Sequence, residues 1–176
     1  MHSADGGPIP GPYTPATDEV DRLVGDWGKV RQGVDLAPME VLSRVSRIAL
    51  LLDRARSQAF ANHQIVAWEF DVLAALRRSG EPFELSPGKL LKETMVTSGT
   101  MTNRVDRLVA RGMVLRSADP NDRRGVIVRL TDTGRATVDG ALDGLLEAEK
   151  SLLASLDDEQ RDHLAGLLRT LLLAIE

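Results

Sequence analysis

Two short β-branched runs stand alone in a chain whose other apolar residues recur at helical spacing. They are Met113-Val114-Leu115 and Val126-Ile127-Val128-Arg129-Leu130. Between them lies Ala118-Asp119-Pro120-Asn121-Asp122, rich in turn formers. The pair reads as a β-hairpin with a charged tip. Everything around it is helical in pattern, so the expected fold class is mainly α.

The helices follow from periodicity and punctuation. Val20, Leu23, Val24 and Trp27 repeat at i, i+3, i+4, i+7 and predict a short helix over 18–28. A long helix starts near Pro38 and carries the stripe Val41, Leu42, Val45, Ile48, Ala49, Leu52, fading near Asn62-His63. A third, over 67–79, buries Phe70, Leu73, Ala74 and Leu76 and ends at Gly80. Ser86-Pro87 is an N-cap followed by Pro at N1, and opens a short helix to about residue 93. Thr97 or Ser98 caps the next helix, which runs to Arg111 and closes at Gly112. After the hairpin, Thr131 or Thr133 caps a long helix over 132–154. A cap-rich break at 155–158 precedes a last helix with Leu164, Leu167, Leu168, Leu171, Leu172 and Ile175. The expected division is a disordered arm over 1–17, N-terminal dimerisation helices over 18–62, a DNA-binding domain over 63–131 and C-terminal dimerisation helices over 132–176.

Charge is distributed against its own total. The chain carries a formal −4, yet residues 96–135 hold eight Arg against four Asp. The segments on either side are acidic, at −2 over 1–95 and −6 over 136–176. A local basic focus steers toward phosphate more than the net value does. Arginine suits bidentate contacts to phosphate or guanine. A merely solvated charged face is the alternative on charge alone.

Two short helices joined by a tight turn and followed by a hairpin form a helix-turn-helix plus wing. The second helix begins Thr97-Ser98-Gly99-Thr100-Met101-Thr102-Asn103-Arg104. Small side chains let a helix approach the major groove, and hydroxyls and Asn bond phosphates or base edges. Arg123 and Arg124 at the hairpin tip are placed to reach a neighbouring minor groove.

The run LVARGMVLRSADPNDRRGVIVRLTDTG over 108–134 resembles the wing of the MarR family of bacterial transcription regulators, with Met113 where Leu is usual. SGTMTNRVDRL upstream is similar to that family's recognition helix. The resemblance spans about residue 36 to the C-terminus. It implies a winged helix-turn-helix with long N- and C-terminal dimerisation helices, a homodimer, and a pseudo-palindromic double-stranded DNA site. It implies Ser98, Thr100, Thr102, Asn103 and Arg107 as recognition-helix contacts, and Arg123 and Arg124 as wing contacts. It also implies that Asp122 pairs with Arg124 and stiffens the wing.

The extra N-terminal helix with Trp27, then VDLAPMEVLSRVSRIALLLDR and WEFDVLAALRRSG, resembles the urate-responsive, PecS-like branch. That implies a small anionic effector, urate- or xanthine-like or citrate-like, held by Trp27, Asp71, Arg104 and Arg116. Each position has a plainer reading. Trp27 fits a core stripe, Asp71 and Arg116 fit a structural ion pair, and Arg104 fits a phosphate contact. The function implied is a repressor released by a metabolite.

Other classes are poorly supported. With no cysteine, thiolate catalysis, Cys-zinc sites and cysteine redox sensing are excluded. The three histidines are scattered, so no metal ligand set is expected. No phosphate loop, G-x-S-x-G or H-E-x-x-H occurs, so no enzyme and no cofactor are expected. No apolar run of membrane length and no secretory leader pattern is present, so the expected location is cytoplasmic. A winged domain that binds protein instead of DNA is the rival reading; it should show apolar residues where the second helix begins.

Overall fold

The computed structural model describes residues 16–120 and 122–176, leaving aside the side chains of Arg123 and Arg124. The arm expected over 1–17 therefore falls mostly outside the described residues. The elements in chain order are α1 (Glu19–Val30), α2 (Ala37–Ala61), α3 (Ala67–Arg78), β1 (Glu84–Leu85), α4 (Pro87–Thr94), α5 (Ser98–Ala110), β2 (Val114–Asp119), β3 (Asp122–Leu130), α6 (Asp132–Leu152) and α7 (Asp158–Leu173). They fall into two compact units, the first ending at Leu50 and the second running Leu51–Glu176.

In the first unit, α1 starts with a reciprocal cap. The Asp18 carboxylate accepts from the Val20 and Asp21 amides at 2.7 and 3.0 Å, and the Asp21 carboxylate accepts from the Asp18 amide at 2.7 Å. Arg44 on α2 donates to Asp18 at 2.8 Å and to Asp21 at 2.6 Å, tying the two helices together. Val20 is the buried side chain of α1, while Trp27 is 44% exposed.

In the second unit the core gathers α3, α4, α5, the sheet and α6. Val72, Leu73 and Leu76 from α3 meet Leu90 of α4, Met101, Val105 and Leu108 of α5, and Val114 and Val128 of the strands. Val138, Ala141 and Leu145 of α6 close it. Phe60 and Phe70 stack with centroids 4.4 Å apart at its edge.

The sheet has the order β1-β3-β2, antiparallel throughout. Both hairpin strands are longer than their β-branched cores, and the ladder continues to Asp119↔Asp122, with an irregularity at Ala118/Asp119. Hairpin hydrogen bonds thus carry polar residues that propensity alone assigns to the turn. The two-residue β1 escapes sequence reading because it is too short for any period; it is held by pairing Glu84↔Arg129 and Leu85↔Val128. Arg129 fastens it further by donating to Glu84 at 2.8 and 2.6 Å.

The join between β3 and α6 explains the Thr131-Asp132-Thr133-Gly134 pattern. The Thr131 hydroxyl accepts from the Gly134 amide at 3.0 Å, capping α6, and lies 2.8 and 3.0 Å from the Gly112 and Met113 carbonyls. A Cβ on Gly134 would stand 2.1 Å from the Met113 carbonyl oxygen, so only glycine fits.

Candidate nucleic-acid interface

The recognition helix is positioned by its own sequence. Met101, Val105 and Leu108 recur at i, i+4, i+7 and are all buried, which anchors α5 by one face. Ser98, Thr100, Thr102, Asn103 and Arg107 are exposed. Gly112, at φ 68°, stops the helix in the left-handed conformation.

Thr97 occupies the N-cap position, but its hydroxyl makes no cap bond. It lies 2.9 Å from the Thr100 hydroxyl. The amides of the first turn are thus left without a side-chain cap, and a helix start in that condition favours an anion. The Thr102 hydroxyl donates to the Ser98 carbonyl at 3.2 Å.

The six arginines of the basic segment whose side chains are described divide into two sets. Arg111, Arg116, Arg129 and Arg135 are paired with Glu69, Asp106, Glu84 and Asp132, at 2.6, 3.0, 2.6 and 3.3 Å. Arg104 and Arg107 have no carboxylate partner among the described residues. Their guanidinium carbons lie instead 5.4 and 5.3 Å from the ring centroid of Trp68, on α3. Together with Gly99, Thr100 and Asn103 they line a solvent-open concavity of about 390 Å³. These two guanidiniums therefore stand on the same helix as the small hydroxyl side chains.

Arg111 carries a structural load instead. It donates to Glu69 at 2.6 Å and to the Gln64 carbonyl at 2.6 Å. Glu69 is only 4% exposed and also accepts from the Val66 amide at 3.0 Å, capping α3. The C-terminal end of α5 is thereby fixed to the start of α3. Neither Trp68 nor Glu69 was expected from sequence. The usable signal was that Trp68 lies off the stripe Phe70, Leu73, Ala74, Leu76, on a side that a lone helix presents to its neighbour.

The remaining expected residues are scattered by comparison. Arg116 meets Asp106 of α5 and not Asp71. Asp71 is exposed and has no ion pair among the described residues. Trp27 belongs to the first unit. The backbone of Arg123 and Arg124 lies in β3, while their side chains and the Asp122–Arg124 pairing lie outside the described residues. No cluster of three or more His, Asp or Glu able to hold a metal occurs among the described residues. No helix there is long and apolar enough to cross a membrane.

A polar helix start, backed by a second helix and flanked by a three-stranded wing, defines a winged helix-turn-helix of the DNA-binding class. Residues 64–125 match the family model of the MarR family. The chain is 37% identical over 150 residues to the transcriptional regulator PecS of Dickeya dadantii, covering 85% of this chain and 90% of that one. The chain belongs to the MarR family of transcription regulators. Its structure is similar to a mutant MarR from E. coli complexed with operator DNA, with a TM-score of 0.64, 27% identity, and 83% and 97% of the two chains covered. It is also similar to Bordetella bronchiseptica BpsR, whose DNA binding is regulated by 6-hydroxynicotinic acid, with a TM-score of 0.62, 30% identity, and 74% and 91% covered. These relatives are regulators of transcription and not enzymes.

Proposed function

We propose that this DNA-binding regulator is a homodimeric repressor that leaves its operator when a small anionic metabolite binds. The observation that carries the DNA-facing part is the division of the arginines. Of the six whose side chains are described, four are neutralised by carboxylates of the fold, and the other two, Arg104 and Arg107, stand with Ser98, Thr100, Thr102 and Asn103 on α5. Arg123 and Arg124 complete the contact from the wing. A protein-binding winged domain would place apolar residues at this helix start; its exposed side chains there, Ser98, Thr100, Thr102, Asn103 and Arg107, are polar.

Release is supported by the anion chemistry near α5. The effector candidates of the second unit are Asp71, Arg104 and Arg116, and Trp27 is the candidate of the first. Arg116 on β2 holds Asp106 of α5 at 3.0 Å. An anion on Arg116 competes with Asp106 and loosens the link from wing to recognition helix. An anion on Arg104 competes with DNA for the same guanidinium. Either way, the ligand lowers DNA affinity only by its preference for the DNA-free arrangement. A hundredfold release requires about 2.7 kcal/mol of coupling, at about 1.4 kcal/mol per tenfold. BpsR, a relative with a carboxylate-bearing effector, supports the class of ligand.

The deciding experiment is a gel shift with DNA from upstream of the protein's own gene, at two salt concentrations, with and without urate and citrate. Salt-sensitive specific binding, lost with one of the two anions, is the expected result. Specific binding that neither anion disturbs removes the proposed ligand class and leaves the regulator. Absence of any specific binding favours the protein-interaction reading.

A further inference from the structure

Arg104 and Arg107 are three residues apart on α5, and both guanidiniums rest on one indole. Such an arrangement holds two like charges close together with no carboxylate between them. Trp68 itself is half-buried and packs against the core of the second unit, so its ring cannot swing freely. The chain thus fixes two cations against a rigid platform and leaves their outer sides unsatisfied.

The rest of the concavity has one kind of chemistry. Thr100 and Asn103 offer a hydroxyl and an amide, and no carboxylate lines it. At Gly99 a Cβ would meet nothing within 4 Å, so the space above the first turn is open. Donors without acceptors of negative charge select an anion. An open mouth suits an anion that continues as a chain on both sides better than a small molecule that must be enclosed.

We propose that Trp68, Arg104 and Arg107 form the seat of a single phosphodiester of the operator, with Trp68 as the positioning residue that presents both guanidiniums to it. The seat rests on the DNA-binding reading above. It assigns Trp68, which carries no charge, a role in affinity through the two guanidiniums it holds. The ring restricts guanidiniums that otherwise sample many rotamers, so less freedom is lost when the phosphate arrives.

The test uses the full-length chain and the duplex from upstream of its own gene, with a neutral methylphosphonate placed at one phosphate at a time. Trp68→Leu removes the aromatic face; Trp68→Phe keeps one. Expected for Trp68→Leu is a loss of roughly tenfold in affinity, with the slope of log K against log salt smaller by about one. Trp68→Phe should stay within about threefold of the parent. One methylphosphonate position should weaken the parent and have no further effect on Trp68→Leu. Arg107→Gln, which leaves the core untouched, should mask the same position, so the seat remains testable if Trp68→Leu is too unstable to assay.

Additive losses, with no phosphate masked by either substitution, overturn the seat while leaving DNA binding intact. Unchanged affinity and salt slope in both variants overturn it equally. A parent that binds no duplex in a salt-dependent way overturns the DNA-binding reading, and the seat with it.

Discussion

Arg44 shows how single side chains set the pH response of the first unit. It donates to Asp18 and Asp21, and it holds the Asp18 carboxyl down at about 2 from an ordinary 3.8. The largest cause is the Arg44 hydrogen bond, followed by the bond with the Asp21 backbone. A carboxyl depressed in the folded state contributes stability in full above its ordinary value, and loses it as pH falls through the folded one. The attachment of α1 should therefore be intact at neutral pH and weaken between about 4 and 2. A side-chain carboxyl titration by NMR should place the Asp18 midpoint near 2. In Arg44→Ala that midpoint should rise toward 3.8, stopping short because the backbone amides still donate. An Asp18 midpoint unchanged by the substitution contradicts the assignment. At this scale the sequence was only partly legible. Hydroxyls and arginines are visible by type, but which arginine is spent on a carboxylate depends on partners as much as 62 residues away, as with Arg77 and Asp139. Charge counting cannot separate Arg111, held by Glu69, from Arg107, held by Trp68.

At the scale of elements, local signals decided most boundaries. Ser86-Pro87 starts α4, and the Ser86 hydroxyl accepts from the Lys89 amide at 3.4 Å, as the cap pattern predicts. Gly112 ends α5 because the chain needs a positive φ there. The hairpin was legible in its β-branched centre and not in its polar ends, where pairing across the ladder outweighs intrinsic preference. Close approach was not legible at all. Gly134 looks like an ordinary glycine in the first turn of a helix, yet the Met113 carbonyl lies where its Cβ would go. Gly134→Ala must push β2 away from α6 or break the Thr131 cap. The nearest neighbour is the Met113 backbone, which cannot turn aside as the Leu130 side chain can, so relief is difficult and the cost belongs at the upper end of overpacking, about 3 kcal/mol. For a chain of this length that lowers the melting temperature by about 6–12 °C. Gly134→Ala melting with the parent in a thermal scan would show that the β3–α6 join is looser than the geometry indicates.

For the whole molecule the decisive fact is apolar surface that the described residues leave exposed. α7 has no buried residue, and Leu167, Leu168, Leu171, Leu172 and Ile175 are all at least 41% exposed. On α2, Val41, Leu42 and Ile48 are each more than half exposed. Apolar rows of this size mark an interaction surface, not a solvent face. On the homodimeric reading proposed above, a second copy of the chain covers these rows, and the two-fold pair presents two recognition helices to two half-sites about one helical turn apart. Leu168→Glu with Leu172→Glu places two charges in the α7 row without touching the core of either unit. By analytical ultracentrifugation the variant should sediment at half the parent's mass. Its affinity for a two-half-site duplex should fall by a factor of roughly 10² to 10⁴, since linkage of the half-sites is lost. Its affinity for a single half-site should match the parent's, because α5 and the wing are unaltered. A monomeric variant that still binds the full duplex as tightly as the parent would separate dimerisation from operator recognition, and would mean that each copy reads its half-site alone.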